Sequence, residues 1–565
     1  MEPKAPTLSK PPVVVSPWLI LTVLSLGFFM ILLDTTVVNV AIPSMIDGLH
    51  ASLDQILWVL NGYILIYAIL LITAGRMGDM FGPKRLFLGG LVLFTASSAA
   101  CGLAQSPDQL ILFRVIQAVG GALLTPQSLA IITSIFPAEK RGPAFGLWSG
   151  VAGLAAVAGP TLGGYLTTQM SWRAIFFINV PIGIAAVILA FLMMPEVRQH
   201  NRHRLDVLGV LLATGGLFSL VFALIEGQRY NWGQLSSAAS FSLGSLHISL
   251  ISIPALFVLS AILLVAFILW EMRQEEPLLP LSLFKDRNFS VANVVSPIVS
   301  FGMMGLFLPL TIFLQSVLNL SAEDAGVTLV PLALTSMFVA PVAGRMSDRL
   351  NAKYLLFVGL ILFSTGFALV IWLASLHSTG LTFTPALIIG GVGMGLTFAP
   401  MVTVAMRNIS PRQAGSASGV INTVRQVGGA FGSAVVGAIL QNRLAVELHS
   451  YAVSYATQLP AHFRQSFVTG FSHAAAGGFS LGRGQTGAKL PSNLPPNVAG
   501  HIATLGDQVF YHAYLSAMKP TLAVPIIVLL IGAIVSLFLK PVTPVQARSE
   551  VLESEGAQSV AAVAD

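Results

Sequence analysis

The sequence predicts an all-α polytopic membrane protein with 14 transmembrane helices, arranged as two six-helix bundles plus an inserted helix pair. Three observations predict it. Of the 565 residues 55% are hydrophobic and only 9% charged, against roughly 25% charged in an average soluble domain, and the mean hydropathy is +0.82. Fourteen apolar runs each reach the length of about 20 helical residues needed to cross ~30 Å of hydrocarbon. A loop motif recurs in the second half of the chain at the spacing that two parallel repeats require. A closed β-barrel is the other spanning solution, but the runs are about twice the length of a barrel strand and lack period-two alternation.

The first six runs begin near Trp18, Asp54, Leu86, Asp108, Ala144 and Arg173, the next two near Leu205 and Leu250, and the last six near Asn288, Asp324, Tyr354, Leu381, Ala414 and Lys519. This divides the chain into an N-terminal tail (1–17), a first bundle (18–196), an inserted pair with its loops (197–272), a second bundle (273–540) and a C-terminal tail (541–565). Runs seven and eight carry no charged residue in mid-span. Lys and Arg concentrate on one side, with Arg76, Lys84, Arg85, Lys140, Arg141, Arg198, Arg202, Arg204, Arg273, Lys285, Arg287, Arg345, Arg349, Lys353, Arg407 and Arg412 together there. The positive-inside rule makes that side cytoplasmic, with both termini, and the bilayer the cell membrane. The polar, proline-rich start reads as a cytosolic tail rather than a signal peptide.

Within the second bundle the segment 441–518 is external and far longer than the other loops. HFRQSFVTGFSHA and LGDQVFYHAYLSAM space their aromatics helically and read as short helices lying on the membrane surface; GGFSLGRGQTGAKLPSNLPPN between them reads as loop. Five of the ten histidines, His449, His462, His473, His501 and His512, fall in this segment, but without ligand spacing or acidic co-ligands no metal site is expected. The lone Cys101 rules out intramolecular disulfides and thiolate clusters. Short basic clusters between apolar runs speak for membrane topology and against a nucleic-acid partner. No Walker loop or HExxH motif occurs, so neither a cofactor nor an enzymatic activity is expected.

Charge inside a membrane is expensive, at least ~2.5 kcal/mol per residue, and marks function by default. Asp34, Arg114 and Arg425 qualify. Asp34 lies about 13 Å and Arg114 about 9 Å from the same membrane face at 1.5 Å per residue, so they can meet. A fixed structural pair and a proton-coupling pair are both open. Arg425, in run thirteen, either bonds to backbone and Asn422 or faces a cavity and meets an anionic group. Asn39, Asn61, Tyr63, Gln117, Gln127, Met303, Phe307, Gln315 and Phe398 are further candidates to line a cavity of mixed amide, thioether and aromatic surface.

After run two the chain reads GRMGDMFGPKR, and after run ten AGRMSDRLNAK, an internal repeat separated by six helices once the inserted pair is set aside. Run five carries Gly150, then Gly159, Pro160, Gly163 and Gly164 as a GPxxGG element; run one reads LDTTVVNVAIP, run four RVIQAVGGALLTP, run six opens on WRAIFFINVPIG and run thirteen holds GSASGVINTVRQVGGAFG. In these motifs, over nearly its whole length, the sequence resembles the fourteen-helix drug:proton antiporter branch of the major facilitator superfamily. The resemblance implies a major facilitator fold and proton-coupled export of small amphipathic drugs or other toxic compounds, with export of a lipid or endogenous metabolite as the alternative. It implies proton coupling at Asp34 and Arg114, and a cytoplasmic gate built from Gly75, Arg76, Asp79, Gly82, Lys84 and Arg85 with Asp348 and Arg349 in the second repeat. Met80 stands where the family carries a basic residue, a cation that Lys84 or Arg85 would replace. The expected partners are the substrates, protons and the bilayer, with an extracytoplasmic adaptor protein as a further candidate and a monomer as the working form.

Overall fold

The computed structural model describes residues 15–195, 205–235, 240–243, 246–249, 251–476 and 496–540. The tails and most of the glycine-rich loop lie outside these residues. The first bundle is α1 (Pro17–Val40), a short α2 (Ile42–Leu49), α3 (Leu53–Phe81), α4 (Pro83–Leu103), α5 (Pro107–Ile135), α6 (Ala138–Gln169), and the broken pair α7 (Ala174–Phe177) and α8 (Asn179–Met193). Then come α9 (Val207–Glu226), a two-stranded ribbon β1 (Ser240–Leu243) and β2 (Leu246–Ser249), and α10 (Ile253–Glu271). The second bundle is α11 (Arg287–Ile312), α12 (Ala322–Arg349), α13 (Ala352–Leu373), α14 (Thr384–Met406), α15 (Ala414–Ala456), α16 (Ala461–Ala476) and α17 (Pro496–Ser536).

Helix starts follow local chemistry. Ser52, Ser106, Asp206, Ser252, Asp286 and Ser321 each accept a hydrogen bond from the backbone N–H three residues on, satisfying donors a helix otherwise leaves bare. Gly82 turns α3 into α4 at φ 94°, with Pro83 opening the next helix; the left-handed backbone suits glycine and the fixed proline φ suits a first helical turn.

Among the described residues, thirteen helical segments are long and apolar enough to cross a membrane. The thirty-two-residue α6 is a further long, glycine-rich helix, with Gly142, Gly146, Gly150, Gly153, Gly159, Gly163 and Gly164 along it. With α6 the architecture is compatible with fourteen crossings.

The two bundles meet through a pseudo-symmetric exchange. Helix two of each half packs on helix five of the other, α3 on α15 and α6 on α12. Both seams rest on glycine. Gly75 lies against the Gly415 carbonyl and the Gly419 Cα, and the repeat-equivalent Gly344 against the Gly142 carbonyl and the Gly146 Cα. A Cβ on Gly146 would stand 2.7 Å from the Ala340 carbonyl, and one on Gly153 the same distance from that of Ala333. Small residues let membrane helices approach to backbone contact, where dispersion replaces the missing hydrophobic drive.

The inserted pair is peripheral. α10 packs on α9 and presents Val258, Ile262, Val265 and Leu269, each more than half exposed, as a lipid-facing stripe. α9 packs on both α3 and α15. At the end remote from the α3–α4 turn it reaches across them, through Trp58 against Phe222, Arg229 paired with Asp54 at 2.7 Å, and Gln228 donating to the Ala434 carbonyl at 2.9 Å.

The external segment departs from expectation. α15 runs unbroken for 43 residues, roughly 65 Å at 1.5 Å per residue and twice the hydrocarbon thickness. α17 begins at Pro496 rather than near Lys519, and α16 packs along α15. LGDQVFYHAYLSAM is therefore the leading part of a continuous helix, not a separate one on the membrane surface. The reason is the destination of its apolar stripe: Leu440, Leu444, Leu448 and Ala452 of α15 are buried with Val509, Ala513 and Ala517 of α17 and with Phe467 and Phe471 of α16. Protein, not lipid, covers these faces. Tyr451 bonds Ser516 at 3.0 Å across the same seam.

Gly393→Ala, whose Cβ would meet the Gly359 carbonyl at 2.6 Å and Phe363 Cα at 2.7 Å between α14 and α13, should destabilise the protein by about 1–3 kcal/mol through overpacking. Gly89→Ala, which meets open space inside α4, should instead stabilise by about 0.4–1 kcal/mol. Thermal unfolding of both variants in detergent measures the difference.

Candidate functional site: a buried carboxylate, an aromatic ladder and a helix-end latch

Asp34, in mid-course along α1, is fully buried. Its carboxylate pairs with Arg114 of α5 and accepts from Gln117 Nε2 at 2.9 Å and Asn179 Nδ2 at 3.0 Å. Arg114 also donates to Gln117 Oε1 at 2.8 Å and to the Val59 carbonyl at 3.3 Å, so the two charges are tied into α1, α3, α5 and α8. Every contact to Asp34 is a donor. Protonating it would set an O–H against these N–H groups and release at least one, so the proton state is bound to the relative position of four helices.

Asn179 sits at the break between α7 and α8. Pro181 in the following turn has no N–H for the Phe177 carbonyl, and beside it Ser98 Oγ donates to the Phe176 carbonyl at 2.9 Å and accepts from Asn179 at 3.2 Å. Sequence reasoning did not single out Asn179 or Ser98. The signal was present as an asparagine two residues before a proline inside an apolar run.

An aromatic ladder leads away from this cluster. The Arg114 guanidinium lies 4.1 Å from the centre of the Tyr63 ring. Tyr63 stacks on Tyr67, one turn along α3, at 6.0 Å and 7°, and Tyr67 bonds Thr125 at 2.9 Å. Beyond the ladder, α3 packs on α15, the helix that carries Arg425.

The second constellation lies at the α3–α15 seam. Asp79 is buried and accepts from the Gly415 N–H at 2.9 Å, the Ser416 N–H at 2.8 Å and the Ser416 hydroxyl at 2.6 Å. Those groups form the first turn of α15, where unsatisfied N–H groups and the helix dipole favour an anion. Gly75 supplies the close approach that brings Asp79 there. Arg76 is buried near Asp79, whereas Lys84 is spent elsewhere: it donates to the Met194 carbonyl at 2.5 Å and the Phe191 carbonyl at 3.3 Å, closing the end of α8. Lys84 therefore does not replace the cation missing at Met80. Arg85 is exposed at the start of α4. The side chains of Asp348, Arg349 and Pro160 lie outside the described residues.

The other residues singled out in the sequence separate into two groups. Tyr63, Gln117 and Gln127 are sealed inside the first bundle, with Gln127 donating to the Ala74 carbonyl at 2.8 Å and packed on Gly78. Asn39, Asn61, Met303, Phe307, Gln315, Phe398 and Arg425 are partly or fully exposed. Asn39 bonds the Thr35 carbonyl at 3.0 Å, and Phe307 packs edge-on to Phe367. Gln315 lies on a π-helical turn, Phe313–Val317, that ends α11. In α6, Gly159 and Gly163 face Thr36 and Val37 of α1, and Gly150 faces Met337 of α12. The glycine element thus holds α6 between the two bundles.

Two repeated bundles joined by glycine seams, with the Asp34–Arg114 pair sealed inside and Asp79 docked on a helix end, have the build of a membrane transporter rather than an enzyme. The family model described as Major Facilitator Superfamily matches residues 24–433, and the chain belongs to that family. It is 38% identical over 81% of its length to 78% of an uncharacterized MFS-type transporter of Mycobacterium tuberculosis. It is 33% identical over 94% of its length to 92% of the tetracenomycin C resistance and export protein of Streptomyces glaucescens. Among solved structures, a bacterial homolog of the human lysosomal transporter Spinster, captured inward-facing and occupied, matches the fold with a TM-score of 0.53 at 17% identity, covering 94% of this chain and 97% of that one.

Asp79→Asn replaces one acceptor with a donor facing the N–H groups of α15 and should loosen the latch. In a Cys101→Ala background, a cysteine at Ile72, buried at the α3–α15 seam against Gly419, should then react with maleimide severalfold faster than in the Asp79 parent. Equal rates would mean that Asp79 does not hold the seam.

Proposed function

We propose that the protein is a proton-coupled exporter of small amphipathic compounds, exchanging them for protons by alternating access. Asp34 carries this reading. It is the one acidic residue in mid-span of the first bundle, and its three donors come from two other helices, so gaining or losing a proton and rearranging α1, α5 and α8 are the same event. In the cycle, protonation frees Arg114, Gln117 or Asn179 from Asp34, and the helices they belong to shift. Deprotonation on the other side draws them back.

The side carrying Asp79 is cytoplasmic in this reading, as the basic residues of its loops favour, and both termini lie there. The state described is then the one shut toward the cytoplasm, with Asp79 docked on α15 and both glycine seams closed. The bundles at 18–196 and 273–540 rock about the site, the pair within 197–272 accompanies them, and the protein works as a monomer in the cell membrane. The relative that exports tetracenomycin C supports a cargo of antibiotic type. The extension formed by α15, α16 and α17 is the surface that an extracytoplasmic adaptor would meet.

Asp34→Asn should abolish export driven by a pH gradient while the protein still inserts and purifies as one species. Reconstituted vesicles loaded with a pH indicator and offered a panel of dyes and antibiotics test this. A substrate-dependent proton flux in the variant at the parental rate would remove Asp34 from the coupling.

A further inference from the structure

The charges inside the membrane are unequally provided for. Asp34 and Arg114 are sealed together, and Gln117 and Asn179 complete the carboxylate's partners. Arg425 is different. It lies eleven residues into α15, about 16 Å from the helix start at 1.5 Å per residue, hence in mid-span. Among the described residues no hydrogen bond or ion pair reaches its guanidinium. It is partly open rather than sealed.

Nothing in the second bundle can neutralise it at that depth. α11, α13 and α14 contain no Asp or Glu; α12 carries acids only in its first and last turns, at Glu323, Asp324 and Asp348; α15 has none before Glu447; α17 has only Asp507. Across the bundle interface α15 packs on α3, whose Tyr67 is already bonded to Thr125. A guanidinium left unpaired in hydrocarbon is costly, and the cost falls when an anion arrives. Its planar fork of donors matches a carboxylate or a similarly delocalised acid.

We propose that Arg425 is the recognition point for the cargo, and that the cargo class is therefore amphipathic organic anions, molecules with an aromatic body and a carboxylate or acidic phenol, rather than lipophilic cations. This rests on the exporter reading above and narrows its substrate. An organic cation would find no free carboxylate, since Asp34 is sealed, and would have to sit in the field of an uncompensated arginine. While Asp34 is ionised, the interior holds one net positive charge that an anion cancels. Exchange of a monoanion for a proton moves positive charge inward on both legs, so an inside-negative potential should accelerate it.

A matched pair of probes tests the proposal: 1-pyrenebutyrate and 4-(1-pyrenyl)butyltrimethylammonium share an aromatic body and differ in the sign of the head. Fluorescence anisotropy with the purified protein, against protein-free micelles, reads binding. The parent should prefer the anion. Arg425→Gln should cut that preference on the order of tenfold to a hundredfold, the range of a charge-assisted hydrogen bond, and Arg425→Lys should keep part of it. A parent that binds the cation as tightly, or a preference unchanged in both variants, overturns the proposal. If Arg425→Gln does not purify, the parent's preference and the Lys variant decide. Flux in vesicles separates the two readings. Proton-driven export of the cation, indifferent to Arg425, keeps the exporter and removes the anion. Anion binding that depends on Arg425 without proton-driven flux of either probe keeps the anion site and removes the exporter.

Discussion

The rest of the structure depends on the approach of backbone to backbone at the two glycine seams. In lipid there is no water to expel from between helices, so the bundles hold together only where they come close enough for dispersion and short polar contacts to count. Gly75 with Gly415 and Gly419, and Gly344 with Gly142 and Gly146, provide that closeness at equivalent places in the two halves. The approach also makes the latch: at a normal helix spacing the short side chain of Asp79 would not reach the first turn of α15.

Burial of charge is the second constraint. Asp34 is affordable inside the first bundle because Arg114, Gln117 and Asn179 supply donors in place of water, and because Pro181 interrupts the helix where Asn179 must point. Such a cluster stores no slack. Its members are joined to α1, α3, α5 and α8, so a change of charge at one oxygen strains contacts in all of them. The Tyr63–Tyr67 ladder runs from this cluster along α3, which packs on α15, the helix where Arg425 waits without a counter-charge. One half of the molecule carries a paired charge and the other an unpaired one, although the halves share a common plan.

The family and the fold were legible from residues because both are local. Helix starts at Trp18, Asp54, Asp108, Asn288, Asp324 and Ala414 fall within two residues of those observed, since caps and apolar length determine them. Asp34 and Arg114 were legible as charges at a common depth. Asn179 and Ser98 were not, because one amide in an apolar run says nothing about which helix it faces. The bonds of Lys84 were not legible for the same reason: a basic residue in a gate-like motif can reach several carbonyls, and here it meets those at the end of α8.

By itself the sequence determined that the chain is a many-helix membrane protein, the repeat, the charged positions and the glycines, since hydropathy, helix rise and the cost of buried charge act on each segment separately. Only the tertiary structure decided which glycines face which helix, that Gln117 and Gln127 are sealed, that α15 and α17 continue beyond hydrocarbon length, and that Arg425 lacks a partner where Asp34 has three. These depend on the rotation of each helix about its axis and on what stands opposite. A sequence records the order of side chains along a helix, but whether protein, lipid or nothing lies across from them is settled when the helices pack.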